Sequence, residues 1–443
     1  MKNGFVVFTY TLLLASLVSA CGQGKKSESS NSADSVASVE ETAASTAPDL
    51  PPPSESSTHF SKVVGWKDGQ LPKAPDGFVV TEFARDLDNP RRTYVLPNGD
   101  VLVVESQTER KGVVKKVVAA VSGQAKSGAS GKSANRITLL RDANKDGKPE
   151  VRETFLEGLN QPFGVLVIGN TLYVANTDAL LKFPYQTGQT RITAKGTSIL
   201  ALPAGGYNNH WTRNLLANAD GSKIYISVGS GSNVGENGME NEVNRANILE
   251  INPDGTGERV FASGLRNPVG MDWAPGTQTL WTAVNERDEL GDELVPDYIT
   301  SVKEGGFYGW PYSYYGQHED PRRKGERPDL VKKAMVPAVP VGSHTASLGL
   351  AFYDKTAFPE KYRNGAFVGQ HGSWNRSSFA GYKVVFVPFQ NGKPSGKPED
   401  FLTGFIASDT DVFGRPVGLS VLPDGSLLVA DDAGNRIWRV SAK

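Results

Sequence analysis

With a single cysteine in 443 residues, at position 21, the chain cannot form an internal disulfide. An excess of charge of one sign is also missing. The 47 Lys and Arg face 48 Asp and Glu, for a formal net charge of −1, and this excludes the basic face that binds nucleic acid. The apolar stretch from Phe5 to Val18 is too short to cross a bilayer. Histidine is scarce, at five, so the position of each one carries weight. Long helical periods are absent. Glycine (48) and proline (27) are plentiful between runs of β-formers, which points to strands joined by many turns.

The start of the chain reads as an address. Lys2, the apolar run and Leu17-Val18-Ser19-Ala20-Cys21 have the layout of a secretory signal. The apolar-small-small-Cys ending resembles a bacterial lipobox, in which Cys21 is acylated and becomes the first residue of the mature protein; the alternative is an ordinary signal with a chance cysteine. Residues 1–21 are therefore expected to be a lipoprotein signal. Residues 22–58, rich in Ser, Ala and Glu with Pro51-Pro52-Pro53, are expected to be a disordered tether, since they have too few large apolar groups to offset chain entropy. The expected location is the bacterial cell envelope, lipid-anchored and facing the periplasm or the surface.

One phrase recurs through the remainder. A turn and a polar residue precede an apolar strand, and a Gly-containing turn leads to a second strand. It begins near residues 89, 160, 210, 265, 347 and 414, on average about 65 residues apart, enough for a four-stranded blade with loops. The expected fold is all-β, a six-bladed β-propeller over 59–443, with 78–85 and 436–440 sharing a blade to close the ring. A β-sandwich is the alternative. Arg91, Gln161, His210, Arg266, Asn267 and Arg415 fall just before inner strands and should gather around one axis. Their cations call for an anionic ligand there, since like charges in a low dielectric repel.

The phrases HWTRNL, SVGSGSNVGENG, LRNPVGMDW, GGFYGWP, QHGSWNRS and GRPVGL, in order from about residue 75 to the C-terminus, resemble the glucose/sorbosone dehydrogenase family, particularly its L-sorbosone dehydrogenase-like branch. The resemblance implies a funnel holding pyrroloquinoline quinone (PQQ) and Ca²⁺, oxidation of a small sugar, and a periplasmic electron acceptor. It implies His210 as general base and Arg266 beside the quinone carbonyl. Gln161, Asn267, Arg415 and one of His371 or Arg376 are implied to contact the cofactor. Main-chain carbonyls near Glu286 and Arg287 are implied to hold Ca²⁺ against the quinone. Asp292, Glu293 and the carbonyl of Tyr308 are implied to hold a second, structural Ca²⁺.

Two departures stand out. Ser230 occupies the place of an aspartate that orients the base in glucose-oxidising members, and the 285–293 loop has a different length and sequence. Two rival functions remain open: a non-catalytic binding propeller, which Ser230 keeps alive, and a metal-dependent lactonase-like hydrolase, which the absence of carboxylates at the inner-strand starts disfavours. Asp142, Asn144, Asp146 and Glu153 have calcium-loop spacing but strand-like flanks, so a polar hairpin turn competes with weak Ca²⁺ binding. His344 reads equally as a substrate contact or a packed loop residue. The aromatics at 307–315 read as inter-blade packing. The Lys/Ser/Gly-rich stretch 107–135 reads as a mobile rim loop.

Overall fold

The computed structural model describes residues 49–109, 124–128 and 130–443. Cys21, the signal, most of the tether and much of the 107–135 stretch lie outside them. Six antiparallel sheets, five of four strands and one of five, follow one another along the chain as blades of a β-propeller. From the inner strand outward, blade 1 is Pro90–Val95, Val101–Glu105, Arg136–Arg141 and Val151–Leu156. Blades 2 to 5 begin at Gly164–Ile168, Leu215–Ala217, Pro268–Trp273 and Ser347–Tyr353 and repeat the pattern. Blade 6 takes Pro416–Val421, Leu427–Asp431 and Arg436–Ala442 from the end of the chain and its outer strand, Phe78–Ala84, from the beginning. Those last two strands are the pair expected to close the ring.

The central strands are buried on both faces, which is why their sequences are continuous apolar runs rather than alternations. Val101 and Val103 pack toward blade 6 with Leu428 and Ala430, while Leu102 and Val104 pack toward blade 2 with Val165 and Val174. The same division produces an apolar core between every pair of neighbouring blades. A seventh cluster, Phe163, Trp211, Val269, Leu348 and Val417, comes from the inner segments of blades 2 to 6 and fills the axis.

The glycine that follows in the recurring phrase has a steric reason. A Cβ at Gly164, Gly270, Gly349 or Gly418 would come within 2.6, 2.5, 2.0 or 2.6 Å of backbone in the neighbouring inner segment. Only glycine lets these strands crowd the axis.

The tether ends earlier than expected. Leu50 packs on the core between blades 3 and 4. Ser54 N–H donates to Leu290 O (2.9 Å), Gly291 N–H to Ser56 Oγ (2.9 Å), and Asn375 Nδ2 to Ser57 O (2.8 Å). The segment continues through Lys62–Val63, which pairs with Asp411–Val412, to Trp66 in the core between blades 5 and 6. Hydrogen bonds to loops of blades 4 and 5 thus hold residues that composition alone assigns to a tether.

Candidate active site

Within each blade the start of the inner strand pairs with the end of the second, as in Pro90 with Glu105, Pro268 with Val284 and Pro416 with Asp431. The turns entering inner strands and those leaving second strands therefore share one face of the ring. His210, Arg266, Asn267, Arg415 and Gln161 lie on the first kind of segment. Ser230, Glu286, Asp288, His371 and Asp432 lie on the second.

His210 is the best-defined group. Its Nδ1 is 2.8 Å from Ser230 O and 2.9 Å from Ser230 Oγ, whose own hydroxyl donates to Ser232 O at 2.6 Å. A carbonyl only accepts, so Nδ1 carries the proton and Nε2 keeps its lone pair. Burial, with the charge of Arg266 adding to it, pulls the imidazole from its ordinary 6.5 down to about 3. A neutral ring with a free Nε2 is the form a general base requires. Gly229 makes the approach possible, since a Cβ there would lie 2.5 Å from His210 Cβ and 2.4 Å from Asn267 Oδ1. Asn267 is buried and its Oδ1 has no partner.

Arg266 is buried and multiply held. Nη2 bonds Asn233 Oδ1 (2.9 Å) and Asp288 Oδ2 (2.8 Å), while Nη1 donates to Glu286 O (2.5 Å) and Asn285 O (3.2 Å). Asp288 also faces His344 Nδ1 at 3.5 Å, and His344 Nε2 donates to Gly291 O at 2.8 Å. Burial opposes the charge on His344, but the hydrogen bond and charge of Asp288 outweigh it and raise its pKa. His344 is thus a packed loop residue with a carboxylate partner.

On the other side of the axis, Arg91 and His371 share Asp432. His371 Nε2 lies 2.9 and 3.0 Å from its two oxygens, and Arg91 Nη1 bonds one of them. Burial works against the Asp432 charge, yet His371 and Arg91 hold its pKa far below the ordinary carboxylate value. Burial lowers His371 to about 4 despite that neighbour. Arg415 differs. Its Nη2 donates to Ser61 Oγ (2.7 Å), its Nε is buried without a partner, and among the described residues it makes no ion pair.

These placements correct three expectations. First, carboxylates do reach the focus: Asp288 and Asp432 arrive from second-strand ends, where the inner-strand reading did not look, and they neutralise Arg266 and Arg91 internally while Asp432 also bonds the uncharged His371. Only Arg415 keeps the argument for an anionic ligand. Second, Arg91 is one residue out of register with Gln161. Pro90 matches Pro162, Pro268 and Pro416, so Arg91 stands where the others place Phe163, Val269 and Val417, and it lies over the Trp211 ring at 5.5 Å. Asn89 (φ 53°) is the counterpart of Gln161 (φ 44°).

Third, Arg376 is taken by Glu293 Oε1 and Asp292 O, both at 2.7 Å, leaving His371 as the member of that pair near Arg415 and Arg91. The side chains of the residues named for a second Ca²⁺ group have protein partners of their own. Asp292 accepts from Ser377, Glu293 pairs with Arg376, and Tyr308 sits in the core between blades 3 and 4 with its hydroxyl on Ser301 O (2.6 Å). The Arg287 side chain is locked to Asp320. Gln161 remains buried, its Nε2 on Gln107 O at 2.9 Å. In the 142–150 turn, Glu150 rather than Glu153 joins Asp142 and Asp146. Among the described residues this is the group of three carboxylates close enough to share a cation, and it lies away from the axis. Tyr308, Tyr314 and Tyr315 pack between blades 3 and 4, as the sequence suggests.

A model of a domain of unknown function, DUF7133, matches residues 73–433. The chain belongs to that family. An uncharacterized protein of Borreliella burgdorferi is 31% identical over 298 residues, 65% of this chain and 77% of that one. The Escherichia coli aldose sugar dehydrogenase YliI is 29% identical over 201 residues, 44% of this chain and 46% of the enzyme. Among solved structures, the PQQ domain of pyranose dehydrogenase from Coprinopsis cinerea in its holo form superposes with a TM-score of 0.66 at 19% identity, covering 86% of this chain and all of that domain. At that identity the superposition establishes the shared propeller fold for this DUF7133 member.

Proposed function

We propose that this propeller is a PQQ-dependent dehydrogenase that oxidises an aldose or a sorbosone-like sugar aldehyde, passes electrons to a periplasmic acceptor, and is held in the bacterial envelope by a lipid on Cys21. The observation that carries the reading is His210, with Nδ1 pinned, Nε2 free and the ring unprotonated, set beside Arg266 and the unpartnered Asn267 Oδ1. The named neighbours, a sugar dehydrogenase by sequence and a PQQ domain by fold, support the same chemistry.

The residues present suit the quinone. Arg415, buried and without an ion pair among the described residues, matches a carboxylate of a planar polyacid, as a guanidinium fork does elsewhere. His371 lies close enough to Arg415 to feel its charge. PQQ, when bound, accepts the hydride equivalent from the substrate carbon. His210 Nε2 takes the hydroxyl proton, and Arg266, whose N–H groups are held by Asn233, Asn285, Glu286 and Asp288, supplies a fixed positive charge near where negative charge develops. For Ca²⁺, the carbonyls of Asn285 and Glu286 and the Asp288 carboxylate form a hard-oxygen set of the right chemistry. Arg266 donates to all three residues, so the ion would share them with the guanidinium.

A binding-only propeller has less support, because Ser230 still orients His210. The test is reconstitution of the full chain with PQQ and Ca²⁺, following quinone absorbance against a sugar panel. Bleaching with an aldose or sorbosone, abolished in His210→Ala, is expected. Failure of PQQ to bind overturns the reading.

A further inference from the structure

Ser230 leaves the base without a directly bonded carboxylate, yet a buried carboxylate stands behind it. Glu242, at the end of the short turn Met239–Glu242, is 6% exposed and makes no ion pair among the described residues. Its oxygens accept from Gly231 N–H (2.7 Å), from Ser232 N–H (2.9 Å) and from the Ser232 hydroxyl. The buried Arg245 faces Glu242 through charge without forming an ion pair, so hydrogen bonds carry most of the fixing of this carboxylate. One that spends three acceptor sites on two consecutive residues fixes those residues. They are the residues that follow Ser230.

We propose that Glu242 is the positioning residue that sets the tautomer of His210; this rests on the dehydrogenase reading given above. The connection runs from Glu242 through Gly231, Ser232 and Ser230 to His210. Glu242 holds the Gly231-Ser232 segment, and with it the Ser232 carbonyl, which draws the Ser230 hydroxyl proton (2.6 Å). With that proton committed, Ser230 Oγ can only accept from His210 Nδ1. The anchored segment also holds the loop that carries the base, through Asn209 N–H to Gly231 O at 3.1 Å. Gly231 has no room for a side chain, since a Cβ would lie 2.6 Å from Tyr207 O. The Ser230 carbonyl, which accepts from Nδ1 at 2.8 Å, belongs to the peptide whose Gly231 N–H Glu242 holds. If the segment turns, that carbonyl leaves Nδ1, the Ser230 hydroxyl is free to donate to Nδ1 instead, and the proton then sits on Nε2, where it blocks proton abstraction. Two hydrogen-bonded residues thus carry the orienting function that a neighbouring aspartate would perform directly.

The test uses the full chain with ¹⁵N-labelled histidine, assigning the His210 ring against His210→Gln, beside steady-state kinetics with PQQ. Wild type should show the Nδ1–H tautomer. Glu242→Gln, which puts an amide against three donors, should populate Nε2–H. It should lower kcat by at least about 10-fold, within the ~10²–10⁴-fold that a general base supplies, with sugar KM and PQQ affinity held. Ser232→Ala removes one of the three contacts, keeps both backbone bonds, and should move both readouts the same way by less, so it decides the matter if Glu242→Gln does not fold. Wild-type tautomer and kcat in these variants overturn the proposal. Absence of PQQ-dependent activity in wild type overturns the dehydrogenase reading alone, because the tautomer is read without turnover.

Discussion

Replacing Asp432 by asparagine should lower stability and raise anion affinity together. Its carboxylate is 3% exposed and is the shared partner of Arg91 and His371, with Arg415 close enough to depress its pKa further. Removing one member of a buried pair leaves an uncompensated charge, at about 3–5 kcal/mol. With an unfolding entropy of ~2.1 cal/mol/K per residue over roughly 390 residues, about 4 kcal/mol corresponds to a fall in Tm of about 5 °C. The sign with pH is fixed by the depressed folded-state pKa. The contribution is present above the unfolded value near 3.9 and is lost as pH falls through that region, so the gap between wild type and Asp432→Asn should close in acid. The unpaired Arg91 beside Arg415 should meanwhile bind a polyanion more tightly, giving a larger ligand-induced rise in Tm than in wild type. Calorimetry of Asp432→Asn, Arg91→Met and the double variant, at neutral and acid pH and with and without PQQ, measures all three effects. Strictly additive losses in the double variant, or a neutral-pH Tm for Asp432→Asn within about 1 °C of wild type, refute the pairing argument.

Two further outcomes follow from the geometry. The acid limb of kcat/KM should lie well below the ordinary imidazole value of 6.5, toward the His210 pKa of about 3, because a base whose pKa is lowered stays unprotonated at lower pH; a limb at 6.5 in a pH–rate profile contradicts the site as described. Gly349→Ala should destabilise by more than the ~1–3 kcal/mol typical of overpacking, because its Cβ would meet Val417 O at 2.0 Å, whereas the half-buried hairpin glycine Gly99, with nothing within 4 Å but φ of 92°, should cost less on the same substitution; equal losses in denaturant titration go against the axial-crowding account.

Much of the fold was legible because it repeats. A two-strand phrase recurring six times gives blade number and order directly, and the strand at 78–84 is recognisable as the partner of the last one because the sixth unit otherwise lacks an outer strand. His210 was legible for the same reason: it stands in the segment that leads into an inner strand. The carboxylates were not. Asp288 and Asp432 sit after second strands, and a scan confined to inner-strand starts passes over them. Glu242 was hidden further, ten and eleven residues beyond the backbone groups it holds. The residues around 50–58 look disordered by composition because their stabilisation comes from loops more than 230 residues away.

The sequence alone determined what local pattern and repetition can encode: an all-β ring of six blades, glycines at the axis, and a histidine and arginines directed to one face. Periodicity and turn chemistry act between residues near in the chain, so they survive in a linear text. Tertiary structure decided how the charges are matched and which of Arg376 and His371 stays near the axis. Those outcomes depend on side chains from different blades meeting where the ring closes, and distances across the axis are written in no stretch of sequence.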